Sequence, residues 1–219
     1  MTHTTDFRVL ALHGLRLKGM APSDRVAELY DLDVGELEAL YASEAEADHM
    51  KYREGRVTGW MLTQAGRLVG EELVQADLAS AGTEAAVRDA YHRFHEQNQD
   101  MLQLCTDWQM RPTSDGGEPV LNDHADSAYD AGIVERLVAH HERVAPALGD
   151  LAAALDRMGR YDERFRAAIA RVRAGEIDFI TKPIIDSYHT VWFELHEDLM
   201  ASLGIERAKE AEYHEQRGH

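Results

Sequence analysis

DVGELEALYASEAEADHMKYREGRVTGWMLTQAGR, Asp33 to Arg67, is the stretch on which the fold turns. Asp33 and Glu36 have the spacing of a capping box, and Leu37, Leu40 and Tyr41 recur at helical period to form an inward face. "MKYREGRVTGWML" then reads as two short strands around Glu54-Gly55-Arg56, because a glycine at the tip supplies the backbone freedom a hairpin needs. Thr63 is placed to cap a further helix through Leu68, Val69, Leu73 and Val74 to about Ala79. The stretch therefore predicts helix, strand, tight turn, strand, helix.

Working outward, Phe7 to Lys18 carries an apolar stripe of Val9, Leu10, Leu12, Leu15 and Leu17. "APSDRVAELYDL" restarts a helix, with Ser23 as the expected N-cap before Val26, Leu29 and Tyr30. The N-terminal order is thus α-α-α-β-β-α, the layout of a winged helix over residues 1–80. "ASAGT" at 79–83 reads as a short linker. Helical pattern resumes over Thr83 to Cys105, Asp126 to His141, Ala145 to Met158, Tyr161 to Ala174 and about Pro183 to Leu203, with Gly204 as the stop. "RPTSDGGEPVLNDH" is the only long loop in this reading. The expectation is a mainly α protein: a winged helix at 1–80, a helical bundle at 83–205 and a polar tail at 206–219.

The chain has 219 residues, enough to bury a sizeable core, and a formal charge of −17. Such a charge repels phosphate backbones and anionic membranes. The single Cys105 rules out an internal disulfide, and no run of eighteen apolar residues occurs. A cytoplasmic location with no membrane contact is the expectation.

Residues 7–78 resemble the winged helix-turn-helix domains of bacterial regulators, the MarR-like group in particular. The phrase that carries the likeness is "YREGRVTGWMLTQAGR", a wing followed by Leu-Thr-x-x-Gly-Arg. The resemblance implies a transcriptional regulator, usually dimeric, whose helical remainder dimerises or senses a small-molecule effector. "LRLKG" near the start and "DSYHTVWFELHEDL" near the end are also similar to an actinobacterial type of protein associated with phosphoenolpyruvate-utilising phosphotransferases.

Charge opposes the docking that the first likeness implies. A helix in the major groove lies between two walls of phosphate and draws its affinity from Lys and Arg. Segment 33–48 offers Asp33, Glu36, Glu38, Glu44, Glu46 and Asp48 and no cation. Residues 1–80 hold eight basic and fourteen acidic residues, a balance of −6. The hairpin alone is locally basic, through Lys51, Arg53 and Arg56. Two alternatives follow. DNA can be met by the wing together with Arg8, Arg16 and Lys18 of the first helix. Otherwise the module keeps its shape and changes partner, turning the acidic face of 33–48 to a protein or packing on its own bundle.

Twelve histidines invite a search for metal or ligand sites. His189 and His196 lie seven apart, about 10 Å by helix rise and too far for one ion, but share a face with Trp192 beside Tyr188. Those four residues are the expected lining of a ligand pocket, the alternative being plain core. His92 and His95 are three apart and flank Tyr91 and Phe94. Asn122, Asp123, His124 and Asp126 sit at a helix start, where Asp123 or Asp126 can equally be a cap. No nucleotide loop, nucleophile elbow, paired Cys-x-x-Cys or repeated Glu-x-x-His is present, so no catalytic residue, metal or cofactor is assigned.

Overall fold

The computed structural model describes residues 3–55, 57–113 and 117–210. The chain is mainly helical with a small sheet. Helix α1 is Phe7–Lys18, strand β1 Met20–Ala21, α2 Ser23–Tyr30 and α3 Val34–Glu46; the hairpin is β2 Met50–Arg53 and β3 Gly59–Leu62, followed by α4 Gln64–Ala81. Then come α5 Glu84–Glu96, α6 Asn98–Gln109, the short pair β4 Met110–Arg111 and β5 Val120–Leu121, α7 Ser127–Ala154, α8 Arg160–Arg173 and α9 Tyr188–Leu203. No helix among the described residues is long and apolar enough to cross a membrane.

The first sheet has the order β1-β3-β2, all antiparallel. Strand β1 was not visible in the sequence, since two residues carry no periodicity. Gly59 makes its pairing with β3 possible: a Cβ there would meet the Ala21 carbonyl carbon at 2.3 Å, and φ is +157°. Gly66, the glycine of Leu-Thr-x-x-Gly-Arg, lets α4 start against the end of α3. A Cβ at Gly66 would lie 1.8 Å from the His49 carbonyl oxygen. Thr63 caps this helix start by accepting from the Gly66 N–H at 3.1 Å, and Asp33 caps α3 by accepting from the Glu36 N–H at 2.8 Å, both as expected.

Several boundaries need correction. Ser23 is not a cap; Pro22 precedes α2, and the Ser23 hydroxyl donates to Glu38. The single helix expected over Thr83 to Cys105 is two, broken at Gln97. Conversely, the helices expected at 126–141 and 145–158 are one, α7, with Pro146 inside it. Proline removes one N–H, and the carbonyl it leaves, that of Glu142, belongs to an exposed residue where solvent can take it. Helix α9 begins at Tyr188 and not near Pro183, because Ser187 caps it and Ile184 holds φ +75°. The loop at 111–124 contains one strand of the β4–β5 pair.

Burial divides into a cluster around Leu12, Leu15, Val26, Leu37, Tyr41 and Leu62, and a larger one running through α5 to α9. Between them Val9, Val74 and Ala201 form a third, so α1, α4 and α9 meet directly. Helix α4 serves both sides: Leu73 packs on the first cluster and Leu78 belongs to the second.

Candidate functional site

The outer face of α3 follows from its inward one. With Leu37, Tyr41 and Glu44 buried, Val34, Glu36, Glu38, Ala39, Ala42, Ser43 and Glu46 are left exposed. No cation stands among them. Glu38 accepts from the Ser23 hydroxyl at 2.5 Å and from Trp60 Nε1 at 3.2 Å, which fixes its carboxylate on this face. Glu44 points the other way and is gripped by Arg8, Nε to Oε1 2.5 Å, and by His49, Nδ1 to Oε2 2.6 Å. The Arg8 bond holds the Glu44 carboxyl below its ordinary pKa of 4.5, against the effect of burial.

On β2, alternation sends Met50 and Tyr52 to one side and Lys51 and Arg53 to the other. Tyr52 meets Trp60 edge-on at 5.2 Å. Lys51 and Arg53 are exposed and have no ion-pair partner among the described residues. Arg56, the third expected basic residue of the hairpin, lies outside the described residues.

The cations of α1 are each paired with a carboxylate of the chain. Arg8 is bound to Glu44, Arg16 Nη1 lies 2.6 Å from Glu71, and Lys18 Nζ lies 2.7 Å from Glu194. Glu44 and Glu194 are buried, whereas Glu71 is 36% exposed. These are the three residues expected to extend a DNA-facing surface, and each is engaged within the chain.

Those pairs lead into a buried polar seam that joins the α1–α4 side to the helices that follow. Asp198 on α9 is fully buried and gathers the Arg157 guanidinium, His13 Nε2 at 2.8 Å and the Tyr161 hydroxyl at 2.9 Å. Arg157 also donates to the Ser202 hydroxyl at 2.8 Å and lies 3.7 Å from Asp77 of α4. Asp77 in turn takes His3 at 2.7 Å and the Thr5 hydroxyl at 3.0 Å. Burial alone would raise the Asp198 pKa; Arg157 and His13 outweigh it and hold the carboxyl well below the ordinary value. Burial drives the His13 pKa down against the pull of Asp198, and Arg157 is the larger of the two influences on that carboxylate. A second knot repeats the pattern. Arg164 of α8 and Lys18 of α1 share Glu194 and Asp186, with Arg164 at 2.5 Å from Glu194 and 2.9 Å from Asp186.

The sequence missed this seam. Its members are scattered over α1, α4, α8 and α9, and no local spacing announces them. The only hint was that "LRLKG" and "DSYHTVWFELHEDL", singled out for another reason, contribute Lys18 and the pair Glu194 and Asp198.

The expected ligand-pocket residues lie in or beside the larger core. Tyr188 and Trp192 are buried with ring centroids 6.5 Å apart, and Trp192 stacks on Phe94 at 4.1 Å. Trp192 Nε1 donates to Asn98 Oδ1 at 3.1 Å, and His196 Nε2 lies 2.5 Å from Glu210. Both polar atoms are thus occupied within the chain, whereas the Tyr188 hydroxyl is buried without a hydrogen-bond partner among the described residues. His189 is half-buried and its pKa is lowered by burial. His140 and His141 stand near Tyr188, at ring distances of 6.3 and 6.1 Å, and burial pushes the His140 pKa down to about 4.

The polar groups at the start of α7 have structural employment. Asp126 caps α7, accepting from the Ala128 and Tyr129 N–H groups at 3.1 Å, and His124 and Asn122 both bond Asp130. Burial raises the Cys105 thiol to about 11, which leaves it a poor nucleophile. Among the described residues, no group of three or more His, Cys, Asp or Glu is placed to hold a metal ion.

No family model matches the chain, and no match is found among curated proteins or among solved structures.

Proposed function

We propose that this chain is a regulatory protein of winged-helix type in which α3 addresses a basic protein surface instead of a DNA groove. The observation that carries the reading is the outer face of α3, with Glu36, Glu38 and Glu46 exposed and no Lys or Arg on the helix. Such a face repels phosphate and attracts Lys and Arg. Support for the winged-helix part comes from the strand order β1-β3-β2 and from the hairpin that directly follows α3. The helical remainder dimerises or senses a small ligand, and the seam through Asp198 and Glu194 couples it to α1. An accessory role beside a phosphotransferase-type enzyme would use the same acidic face.

A second reading rests on Lys51 and Arg53, exposed and unpaired as described above. In it the hairpin alone touches DNA and α3 stays clear of the groove. Fluorescence anisotropy with a random-sequence duplex separates the two. The first reading expects no binding that weakens with added salt. Binding with a salt slope of about two to three, lost when Lys51, Arg53 and Arg56 are all changed to Ala, would move the assignment to the second.

A further inference from the structure

A cavity of about 230 Å³ opens between α1–α2 and α8, lined by Lys18, Arg25, Arg160, Arg164, Glu163 and Asp186 among others. Four cations, Lys18 and Arg25 on one side and Arg160 and Arg164 on the other, face three carboxylates, Glu28, Glu163 and Asp186, so the lining is net positive in a chain of net charge −17. Two of them, Lys18 and Arg164, form the floor, and each meets two carboxylates. One of these is permanent: Glu194 projects from α9 with its side chain only 3% exposed. Asp186 differs. It sits on the segment before α9 with its side chain 42% exposed, and pairs with Arg164 at 2.9 Å and with Lys18 at 3.4 Å.

The segment that delivers Asp186 is strained. Ile184 holds φ +75°, a region that β-branched residues avoid, and its side chain is 87% exposed, so no burial compensates. Backbone bonds tie the segment's two ends, His189 N–H to the Ile180 carbonyl at 3.0 Å and Ser187 N–H to the Ile185 carbonyl at 2.7 Å, and charge adds to them. Arg25 Nη2 donates to the Ile184 carbonyl at 3.2 Å, and Asp186 is held by Arg164 and Lys18. The two rim cations are loosely committed. Arg25 pairs with the exposed Glu28 at 3.0 Å, while Arg160 reaches only the Glu28 carbonyl at 3.4 Å and Asp31 at 3.8 Å.

We infer that this cavity is a binding site for a small phosphorylated molecule, and that Asp186 occupies the phosphate position as an internal stand-in. A phosphate carries close to two charges and three acceptor oxygens, which suits Lys18, Arg164, Arg25 and Arg160 better than one carboxylate does. On binding, it takes over the contacts of Asp186 to Lys18 and Arg164 and frees segment 181–187 from its strained turn. Glu163 on the same wall asks for a hydroxyl or amino group on the organic part. Since the cavity lies where α1 and α2 meet α8, occupancy would change how the α3 side is held. This inference goes beyond the reading of the α3 face and stands whichever partner that face meets.

The test is calorimetric titration of the full chain with inorganic phosphate, and separately with succinate, at constant ionic strength. Wild type should bind phosphate with a Kd of about 1 mM, and Asp186→Asn, which removes the competitor, about tenfold more tightly. Arg25→Gln combined with Arg160→Gln should weaken binding about tenfold. Absence of phosphate binding by Asp186→Asn, or equal affinity in all three proteins, would overturn the site. Tighter binding of succinate than of phosphate would overturn the phosphate assignment. Should Asp186→Asn fail to fold, hydrogen exchange on wild type decides: phosphate must speed exchange in 181–187, and unchanged or slowed exchange refutes displacement.

Discussion

Lys18, the last residue of the first helix, reaches Glu194 in the middle of the last one, Nζ to Oε1 2.7 Å. One turn further along α9, Asp198 meets Arg157 and His13 with all three side chains out of solvent. Buried pairs like these hold two parts of a chain in one geometry, and removing one partner leaves the other charged in a dry place.

Asp198→Asn should therefore cost about 3–5 kcal/mol of stability, because Arg157 keeps only Asp77 at 3.7 Å. Urea unfolding measures it. Changing Arg157 to Met and Asp198 to Leu together should cost less than the two single changes added. A strictly additive pair would mean the two groups do not act as a unit.

Gly66→Ala should lower stability by about 1–3 kcal/mol, since its Cβ would fall 1.8 Å from the His49 carbonyl oxygen. Thermal unfolding reports the loss. An unchanged melting temperature would show that the α3–α4 approach is looser than described.

Acid should weaken the fold through its histidines. Burial, helped by Arg143, takes the His140 pKa from 6.5 to about 4, and burial also lowers His13 and His141. The unfolded chain then binds these protons first as pH drops. Stability is complete above about pH 6.5 and declines toward pH 4, on the order of 3 kcal/mol for His140 alone. Asp186, held at about 2 by Arg164 and Lys18 despite its burial, adds a further decline below its ordinary 3.8. Urea midpoints at pH 7.5 and 4.5 check this, and His140→Gln should flatten part of the slope. Equal midpoints would count against buried neutral imidazoles.

Trp192→Ala should cost about 3–5 kcal/mol, as the ring is buried and stacked on Phe94 at 4.1 Å. His196→Gln should lower the melting temperature more mildly by releasing Glu210. If either variant instead kept its stability while losing a ligand response, the pocket expectation for these residues would gain ground.

Much of the architecture was readable because it is local. The stripe of Phe7–Lys18, the Asp33 and Thr63 caps and the hairpin around Gly55 all depend on neighbours a few residues apart. Strand β1 was not, since Met20 and Ala21 become a strand only by pairing with Trp60 and Met61. The break expected between His141 and Ala145 is absent for the same reason: a helix interrupted in sequence terms can be continuous when packing supports both halves. The acidity of α3 was legible at once. The fate of Arg8, Arg16 and Lys18 was not, because their carboxylate partners lie 36 to 176 residues away.

Crosslinking tests the central claim most directly. A photo-reactive group placed at Ala42, exposed on the outer face of α3, is presented with duplex DNA at low salt, where any affinity is greatest. The account predicts no adduct between Ala42 and DNA, even if the hairpin binds. A duplex crosslinked through Ala42, with groove bases as the attachment points, would put α3 in the groove and contradict it.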